Sequence, residues 1–193
     1  MGADKALLEL HGKPLIMLAL ESFQGFPEIL VSAAETESYA FTGARVVPDE
    51  RPGMGPLGGI ISVLKAAEAE LVCFRPVDAP LVPAGLHLAL AGECASTVCD
   101  AATAGAPPST GYDATVPTFK GKPEPLLACF SKTALPALES LAAQGNYKAA
   151  DAFPLLNTSY ISLDEPGLLA RFGDPSSYLI NANDRESFET LIR

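Results

Sequence analysis

The sequence predicts a single α/β domain with a largely parallel sheet that is covered by helices on both faces. Short apolar strands alternate along the chain with amphipathic helices, and this order is typical of such sheets. Apolar residues make up 48% of the 193 residues and charged residues 19%, so we expect a packed core rather than disorder. Because no linker or internal repeat divides the chain, we expect residues 1–193 to form one domain.

The first half of the chain predicts two successive strand and helix units. Pro14 fits the first turn of a helix that ends before Gly25. Continuous apolar runs between turn residues predict buried strands. The predicted elements are a helix over 14–23, strands over 28–32 and 44–48, a helix over 57–68 and a strand over 70–74.

The second half has a less regular pattern. Residues 105–111 are mostly Gly, Pro, Ser and Thr, which predicts a loop. A closing helix is predicted with Asp184 as its cap. The predicted elements are a helix over 83–91, strands over 97–101, 114–119 and 126–130, a helix over 132–143, strands over 158–163 and 177–180, and a helix over 184–192.

Charge and composition exclude several classes of function. Thirteen Lys and Arg against 23 Asp and Glu give a formal net charge of −10, so binding to a nucleic-acid backbone is not expected. The sequence shows neither a run of about 18 apolar residues nor a signal-peptide pattern, so we expect no membrane association and a cytoplasmic location. The four cysteines form no CxxC pair, and neither a disulfide nor a zinc site is expected.

A glycine-rich stretch precedes the second predicted helix. Four glycines fall within the seven residues 53–59 and open directly onto the helical pattern. Glycines at a helix N-terminus let backbone N–H groups approach an anion, which the helix dipole also favours. The stretch has neither the ending of a P-loop nor a GxGxxG frame, so an ordinary loop and a binding loop both fit.

Two charged residues are further candidates. Asp78 follows the strand predicted over 70–74 and lies between Pro76 and Pro80. A carboxylate at the carboxyl end of a strand can hold Mg²⁺, although Asp is equally common as a helix or turn cap. Lys5 lies near the start of the sequence, where an isolated lysine is ordinarily a solvated surface charge.

Five motifs, taken in order, resemble the MobA-like nucleotidyltransferases, the family that includes the molybdenum cofactor guanylyltransferase. Each motif alone has low specificity, whereas the ordered set is specific and spans essentially the whole chain. The motifs are Met-Gly-x-Asp-Lys-Ala-Leu-Leu at 1–8 with Gly-Lys-Pro-Leu-Ile at 12–16, Pro-Asp-x-x-Pro-Gly-x-Gly-Pro-Leu-Gly-Gly-Ile at 48–60, Asp-x-Pro at 78–80, Pro-Glu-Pro-Leu at 123–126 and Ile-Asn-Ala-Asn-Asp at 180–184.

The resemblance implies a three-layer fold of the nucleotide-diphospho-sugar transferase type with a mostly parallel sheet. It also implies transfer of GMP from GTP to the terminal phosphate of molybdenum-bound molybdopterin, with release of pyrophosphate, and a molybdoenzyme or cofactor-delivery protein as a later partner. Two alternatives stay open. One is a cytidylyltransferase or another nucleotidyltransferase with a phosphorylated acceptor, and the other is a non-catalytic molybdopterin-binding protein.

The resemblance also implies roles for individual residues. Lys5 and Asp78 are the implied catalytic residues. The implied set is Lys5, Ser32, Asp49, Gly55 and Asp78 for the nucleotide, Asp78 for Mg²⁺, and Gly58, Asn181 and Asn183 for the pterin.

Three departures from the family pattern bear on these roles. The family pattern begins with a strand and a Leu-Ala-Gly-Gly-x-Ser-x-Arg loop, and the resemblance starts just after them. A central parallel strand is therefore expected to be missing beside residues 71–74, which would leave neighbouring strands without a ladder partner. Ser32 stands where the family commonly has Asn, and Asp184-Arg185 replaces the family's Thr-Pro.

Overall fold

The computed structural model describes residues 4–50, 53–95 and 111–181. Short 3₁₀ turns cover Lys5–Leu7, Glu37–Thr42, Pro125–Leu127, Lys132–Ala134 and Ala149–Leu155. The strands and α-helices are β1 (Glu9–Leu10), β2 (Lys13–Pro14), α1 (Leu15–Glu21), β3 (Leu30–Ala33), β4 (Arg45–Pro48), α2 (Gly55–Ala66), β5 (Leu71–Cys73), α3 (Ala84–Ala95), β6 (Ala114–Phe119), β7 (Lys122–Pro123), β8 (Cys129–Ser131), α4 (Leu135–Ala143), β9 (Thr158–Ser162), α5 (Pro166–Phe172) and α6 (Pro175–Tyr178).

The strands form a mixed middle layer. β3 and β4 pair in parallel over four residues, and β6 and β9 pair in parallel over five, which are the longest ladders of the described residues. Shorter antiparallel ladders join β5 to β8, β8 to β6, and β6 to β7. A small hairpin of β1 and β2 precedes α1. The expected α/β architecture is confirmed.

Helices cover both faces of this layer. Side chains of successive strand residues point to opposite faces. Val72 and Phe74 accordingly pack in the core cluster that contains α2 and α4, whereas Leu71 and Cys73 pack in the cluster that contains α3. Helix α1 lies on the α3 side, where the ring of Phe23 stacks on a side chain of α3. The structure therefore has three layers.

Helix α2 shows how the local sequence sets this packing. Leu57, Ile60, Ile61 and Leu64 recur at helical spacing and are buried on the core side of the helix. Pro56 lies in the first turn, where its missing N–H costs no intrahelical hydrogen bond. Burying each of the large apolar side chains contributes about 1.5–3 kcal/mol to folding. The helix thus packs as the sequence predicts, although it begins and ends two residues earlier than the predicted range 57–68.

An apolar cavity of about 290 Å³ separates β3 from β5. Side chains of α1, such as Ile16 and Leu20, and side chains of α2, such as Val63 and Ala67, line the same cavity. Within the described residues, β3 pairs only with β4, and β5 pairs only with β8.

Two predicted strands are corrected by the structure. Residues 126–130 begin in the 3₁₀ turn Pro125–Leu127, and β8 starts only at Cys129. Residues 177–180 are not a strand, because Asp174 caps the short helix Pro175–Tyr178 by accepting a hydrogen bond from the Ser176 N–H. The strand predicted over 97–101 and the helix predicted over 184–192 lie outside the described residues.

The expectation of no disulfide was wrong. Cys73 and Cys129 face each other in the antiparallel pairing of β5 and β8 and form a disulfide. The two residues are 56 positions apart in the chain, so only the strand register brings them together. No helix of the described residues combines the length and apolarity needed to cross a membrane.

Candidate active site

The carboxyl ends of β3 and β4 bring Ser32 and Asp49 together. The strands run in parallel with Ser32 opposite Val47, so the residue after Pro48 reaches the same edge. The Ser32 hydroxyl donates a hydrogen bond to Asp49 Oδ1 at 3.1 Å. Two of the residues predicted to bind a nucleotide are therefore in direct contact.

The N-terminus of α2 lies directly beside this pair. A Cβ atom at Gly59 would approach Ser32 Oγ to 2.7 Å and Asp49 Oδ1 to 3.5 Å. Glycine is therefore required at position 59 for the helix to approach the strand ends this closely. Gly55 opens the helix with a φ of +54°, a conformation that glycine adopts without strain.

The first turn of α2 also has polar groups to offer a ligand. The N-cap residue is Met54, and among the described residues no side chain caps this helix end. The first N–H groups of an α-helix have no intrahelical acceptor and carry the positive end of the helix dipole. An anion held here would accept hydrogen bonds from these groups.

A cavity of about 220 Å³ lies at this point, and we name it the glycine-side cavity. Its walls include Ser32, Asp49, Gly55 and Gly59 from the strand ends and the helix, together with Arg75 from the chain after β5. The structure thus brings three of the predicted nucleotide-binding residues, and the close-approach glycine, to one cavity.

A second cavity of about 240 Å³ adjoins the first, and we name it the Asp78-side cavity. Its polar side chains are Asp78, Glu124 and Asn181. Pro76 and Leu126 line both cavities, so the two spaces meet at these residues. Asp78 and the glycine-rich helix start are therefore on the same side of the molecule, in neighbouring cavities.

The position of Asp78 in the chain excludes one of its two possible roles, that of a cap for the next helix. Helix α3 begins at Ala84, six positions after Asp78, so Asp78 is not its cap. Within the described residues the half-buried Asp78 carboxylate accepts no hydrogen bond, and both oxygens remain available to a ligand in the cavity. Binding of a metal ion by Asp78 stays a prediction.

Arg75 fixes the loop that carries Asp78, and the sequence analysis missed this residue. Its guanidinium group donates from Nη1 to the Val82 carbonyl at 3.1 Å and from Nη2 to the Ala79 carbonyl at 2.8 Å. Burial lowers the pKa of Arg75 to about 10, so the side chain stays charged at neutral pH. The signal that could have indicated Arg75 is a single cationic residue at the end of a buried apolar strand.

Glu124 is a second residue that the sequence analysis passed over. It follows β7 between Pro123 and Pro125, and its N–H donates to the Pro117 carbonyl at 2.9 Å. The side chain is half-buried, and desolvation raises its pKa above the ordinary value for a carboxyl group. The motif Pro-Glu-Pro-Leu indicated that this segment matters, but it did not indicate that Glu124 lines the Asp78-side cavity.

The remaining predicted residues lie elsewhere. Lys5 belongs to the 3₁₀ turn Lys5–Leu7 and is not among the described residues that line the two cavities. Gly58 is buried on another face of α2 and lines a separate cavity beside Glu50 and Lys65. Asn183 lies outside the described residues, whereas Asn181 lines the Asp78-side cavity.

The turn that contains Lys5 is held by its neighbour in the sequence. The Asp4 carboxylate accepts a hydrogen bond from the Ala6 N–H at 3.0 Å and another from the Tyr39 hydroxyl at 2.5 Å. Desolvation and this contact with Asp4 raise the pKa of Tyr39 to about 12. The hydrogen bonds fix Asp4 and the backbone that precedes Lys5.

The comparisons with solved structures support the fold. Molybdopterin-guanine dinucleotide biosynthesis protein A from Archaeoglobus fulgidus superposes with a TM-score of 0.79 at 23% identity, over 98% of this chain and 89% of that one. The 2-C-methyl-D-erythritol 4-phosphate cytidylyltransferase of Thermus thermophilus gives a TM-score of 0.62 at 15% identity, over 97% and 92%. The architecture is therefore of the nucleotidyltransferase type.

The sequence comparisons identify the family. A probable molybdenum cofactor guanylyltransferase of Carboxydothermus hydrogenoformans is 30% identical over 194 residues, covering 100% of this chain and 89% of the relative. A molybdenum cofactor guanylyltransferase of Vibrio cholerae is 30% identical over 184 residues, covering 89% and 84%. The model of the MobA-like NTP transferase domain matches residues 1–155. The chain belongs to the MobA-like NTP transferase family.

Proposed function

We propose that this protein transfers GMP from GTP to the terminal phosphate of molybdenum-bound molybdopterin, giving the guanine dinucleotide cofactor and pyrophosphate. The observation that carries the proposal is the meeting of two cavities at the carboxyl ends of the strands, where α/β proteins bind their ligands. The names of relatives that are 30% identical over most of the chain support the choice of guanine and molybdopterin.

In this proposal GTP occupies the glycine-side cavity. A net charge of −10 does not favour a broad basic surface for a triphosphate, so local N–H donors would have to hold much of it. The open first turn of α2 supplies such donors beside Gly55. The Asp49 carboxylate, held by Ser32, would accept hydrogen bonds from ribose hydroxyl or guanine N–H groups.

Asp78 would hold a Mg²⁺ ion. Its carboxylate offers hard oxygen ligands and, in the described part of the chain, has no competing hydrogen bond. This donor set fits Mg²⁺, which is commonly bound by one or two carboxylates together with substrate phosphates and water. When bound, the ion would supply positive charge to the phosphate oxygens.

The protein's own contribution to the reaction is mainly positioning. An oxygen of the acceptor phosphate forms a bond to the α-phosphorus of GTP while the bond to the pyrophosphate oxygen breaks. In-line attack needs the acceptor and the leaving pyrophosphate on opposite sides of that phosphorus. Two cavities that share Pro76 and Leu126 would place the two substrates at such a distance.

Lys5, Gly58 and Asn183 enter the proposal only through the resemblance. Lys5 would bind the nucleotide phosphates, and Gly58 and Asn183 would complete the pterin side. We place the reaction in the cytoplasm and propose a molybdoenzyme or a delivery protein as the recipient of the product.

The proposal is tested by incubating the chain with molybdopterin, Mg²⁺ and GTP that is labelled on either the α- or the γ-phosphate. We expect the α-label in the dinucleotide and the γ-label in pyrophosphate. Parallel reactions with CTP and ATP test the alternative nucleotidyltransferases, and we expect them to be slower. Stoichiometric binding of molybdopterin with no release of pyrophosphate would instead favour the non-catalytic binding protein.

A further inference from the structure

Glu124 lines the Asp78-side cavity, and within the described residues no group donates a hydrogen bond to its half-buried carboxylate. The flanking residues Pro123 and Pro125 restrict the backbone, and the hydrogen bond from the Glu124 N–H to the Pro117 carbonyl fixes it further. A carboxylate held in this way at a cavity wall is positioned to accept hydrogen bonds from a ligand in the cavity.

The shape and chemistry of the cavity narrow the class of that ligand. Its volume is about 240 Å³, and apolar side chains, among them Val82, Leu127 and Leu179, form much of its wall. Apolar walls with a few convergent polar groups are typical of sites for flat organic molecules. Asn181 adds a side chain that both donates and accepts hydrogen bonds.

An ionised carboxylate accepts two hydrogen bonds in one plane and donates none. The matching partner is a pair of adjacent, coplanar N–H donors, as in the paired interaction between a guanidinium group and a carboxylate. A 2-amino-4-oxopyrimidine ring presents such a pair, formed by its 2-amino group and the neighbouring ring N–H. Both the pterin of the proposed acceptor and the guanine of GTP contain this ring. Because the proposed function places GTP in the glycine-side cavity, the pterin is the partner for Glu124 in the Asp78-side cavity.

We propose that Glu124 determines specificity for the acceptor by accepting two hydrogen bonds from the 2-amino group and adjacent ring N–H of its pterin. The inference rests on the proposed function for the identity of the acceptor. It adds Glu124 to the site residues that the sequence predicts. Glu124 would then hold the pterin end of the acceptor, and the acceptor's phosphate would point toward the glycine-side cavity.

The test compares two bicyclic probes that differ at one position. 6-Hydroxymethylpterin carries the 2-amino group, whereas 6-hydroxymethyllumazine carries an oxygen there. Binding of each probe is measured by calorimetry for the unaltered chain, for Glu124→Gln, and for Glu68→Gln as the matched control. Glu68 is exposed and lies beyond the far end of α2, roughly 18 Å along the helix from Gly55.

We expect the unaltered chain and Glu68→Gln to prefer the pterin by about tenfold to a hundredfold, because the carboxylate acceptor loses one donor when lumazine replaces pterin. Glu124→Gln should lose or reverse this preference, because the amide can donate to the lumazine oxygen. The same variant should raise the KM for molybdopterin about tenfold or more and leave the dissociation constant of GTP unchanged. Equal melting temperatures would show that the fold is retained.

An unchanged preference for pterin in Glu124→Gln would overturn the proposal. If the Mg²⁺ requirement of that variant also rose, Glu124 would instead be a metal ligand beside Asp78. If the unaltered chain makes no dinucleotide, the proposed function fails, and the probe preference still decides the role of Glu124.

Discussion

The hydroxyl of Ser32 and the carboxylate of Asp49 meet at 3.1 Å across the ends of two parallel strands, directly over the first turns of α2. Gly59 leaves just enough room for this contact, because a Cβ there would lie 2.7 Å from Ser32 Oγ. The hydrogen bond between Ser32 and Asp49 thus depends on the absence of a side chain at position 59. This dependence can be tested at position 59.

Gly59→Ala should displace the Ser32 hydroxyl and break its hydrogen bond to Asp49. We expect GTP to bind about tenfold more weakly, which is the size of effect that one lost hydrogen bond gives. The measurement is calorimetric titration with GTP. Gly92→Ala is the control, because a Cβ at this exposed position of α3 meets nothing within 4 Å. Alanine there should raise the free energy of unfolding by about 0.5–1 kcal/mol.

A double variant separates the steric cause from other effects. Combining Ser32→Ala with Gly59→Ala removes the atom that the new Cβ approaches most closely. We expect the double variant to be more stable than the sum of the two single changes predicts. Strict additivity of the unfolding free energies would contradict the close contact.

Asp78→Asn should raise the Mg²⁺ concentration that gives the half-maximal rate and reduce the rate of dinucleotide formation by at least tenfold. An amide is a weaker ligand for Mg²⁺ than a carboxylate because it carries no charge. The melting temperature should change little, since in the described residues the carboxylate makes no internal hydrogen bond. The rate is measured over a Mg²⁺ titration. Full turnover in the variant would remove Asp78 from the metal site.

Arg75→Lys should loosen the loop that carries Asp78. A lysine retains the charge but lacks the planar, two-pronged donor that binds the carbonyls of Ala79 and Val82. We expect a loss of about 1–3 kcal/mol in the free energy of unfolding, because at least one buried carbonyl loses its donor. Denaturant unfolding measures this loss. A simultaneous rise in the Mg²⁺ concentration for half-maximal rate would link Arg75 to the position of Asp78.

His87 should make the protein less stable in acid. The side chain is fully buried, neither ring nitrogen has a hydrogen-bond partner among the described residues, and burial lowers its pKa to about 3. Between the ordinary value of 6.5 and about 3, the unfolded chain binds a proton that the folded chain does not. Stability therefore falls as the pH falls through this window, by roughly 4–5 kcal/mol in full.

Replacing the imidazole tests this pH dependence. His87→Phe keeps a ring that can stack on Phe23, and His87→Leu serves as a smaller companion. Unfolding free energies measured from pH 7 to pH 4 should fall less steeply in both variants than in the unaltered chain. His11→Asn, at an exposed turn, is the matched histidine control. Parallel curves for all the proteins would contradict the assignment to His87.

The features that the sequence predicted well are those set by local pattern. Helix α2 follows from the apolar spacing after Leu57, although it begins two residues earlier, and strand β6 was placed at its observed bounds between turn residues. The glycine-rich stretch lies at the start of this helix, as the pattern indicated, and its role in ligand binding stays a prediction. Its neighbours Ser32 and Asp49 were suggested by the resemblance, and the parallel register of their strands explains why they meet.

Features that depend on distant contacts were not predictable in this way. Cys73 and Cys129 pair only through strand register, and Arg75 finds its carbonyl partners only after the following loop folds back. The apolar residues near Tyr178 read equally well as a strand, but Asp174 and the proline after it start a helical turn. The local sequence pattern does not show which distant residues will meet or which of two short elements will form.

The apolar cavity between β3 and β5 links the two parts of the site. Ser32 and Asp49 lie at the ends of β3 and β4, whereas Asp78 follows β5. Side chains of α1 and α2, such as Ile16 and Val63, line this cavity together with residues of both strands. A change in the volume of such a side chain would therefore be felt at both strand ends, so core packing remote from the ligands could tune the distance between Ser32 and Asp78.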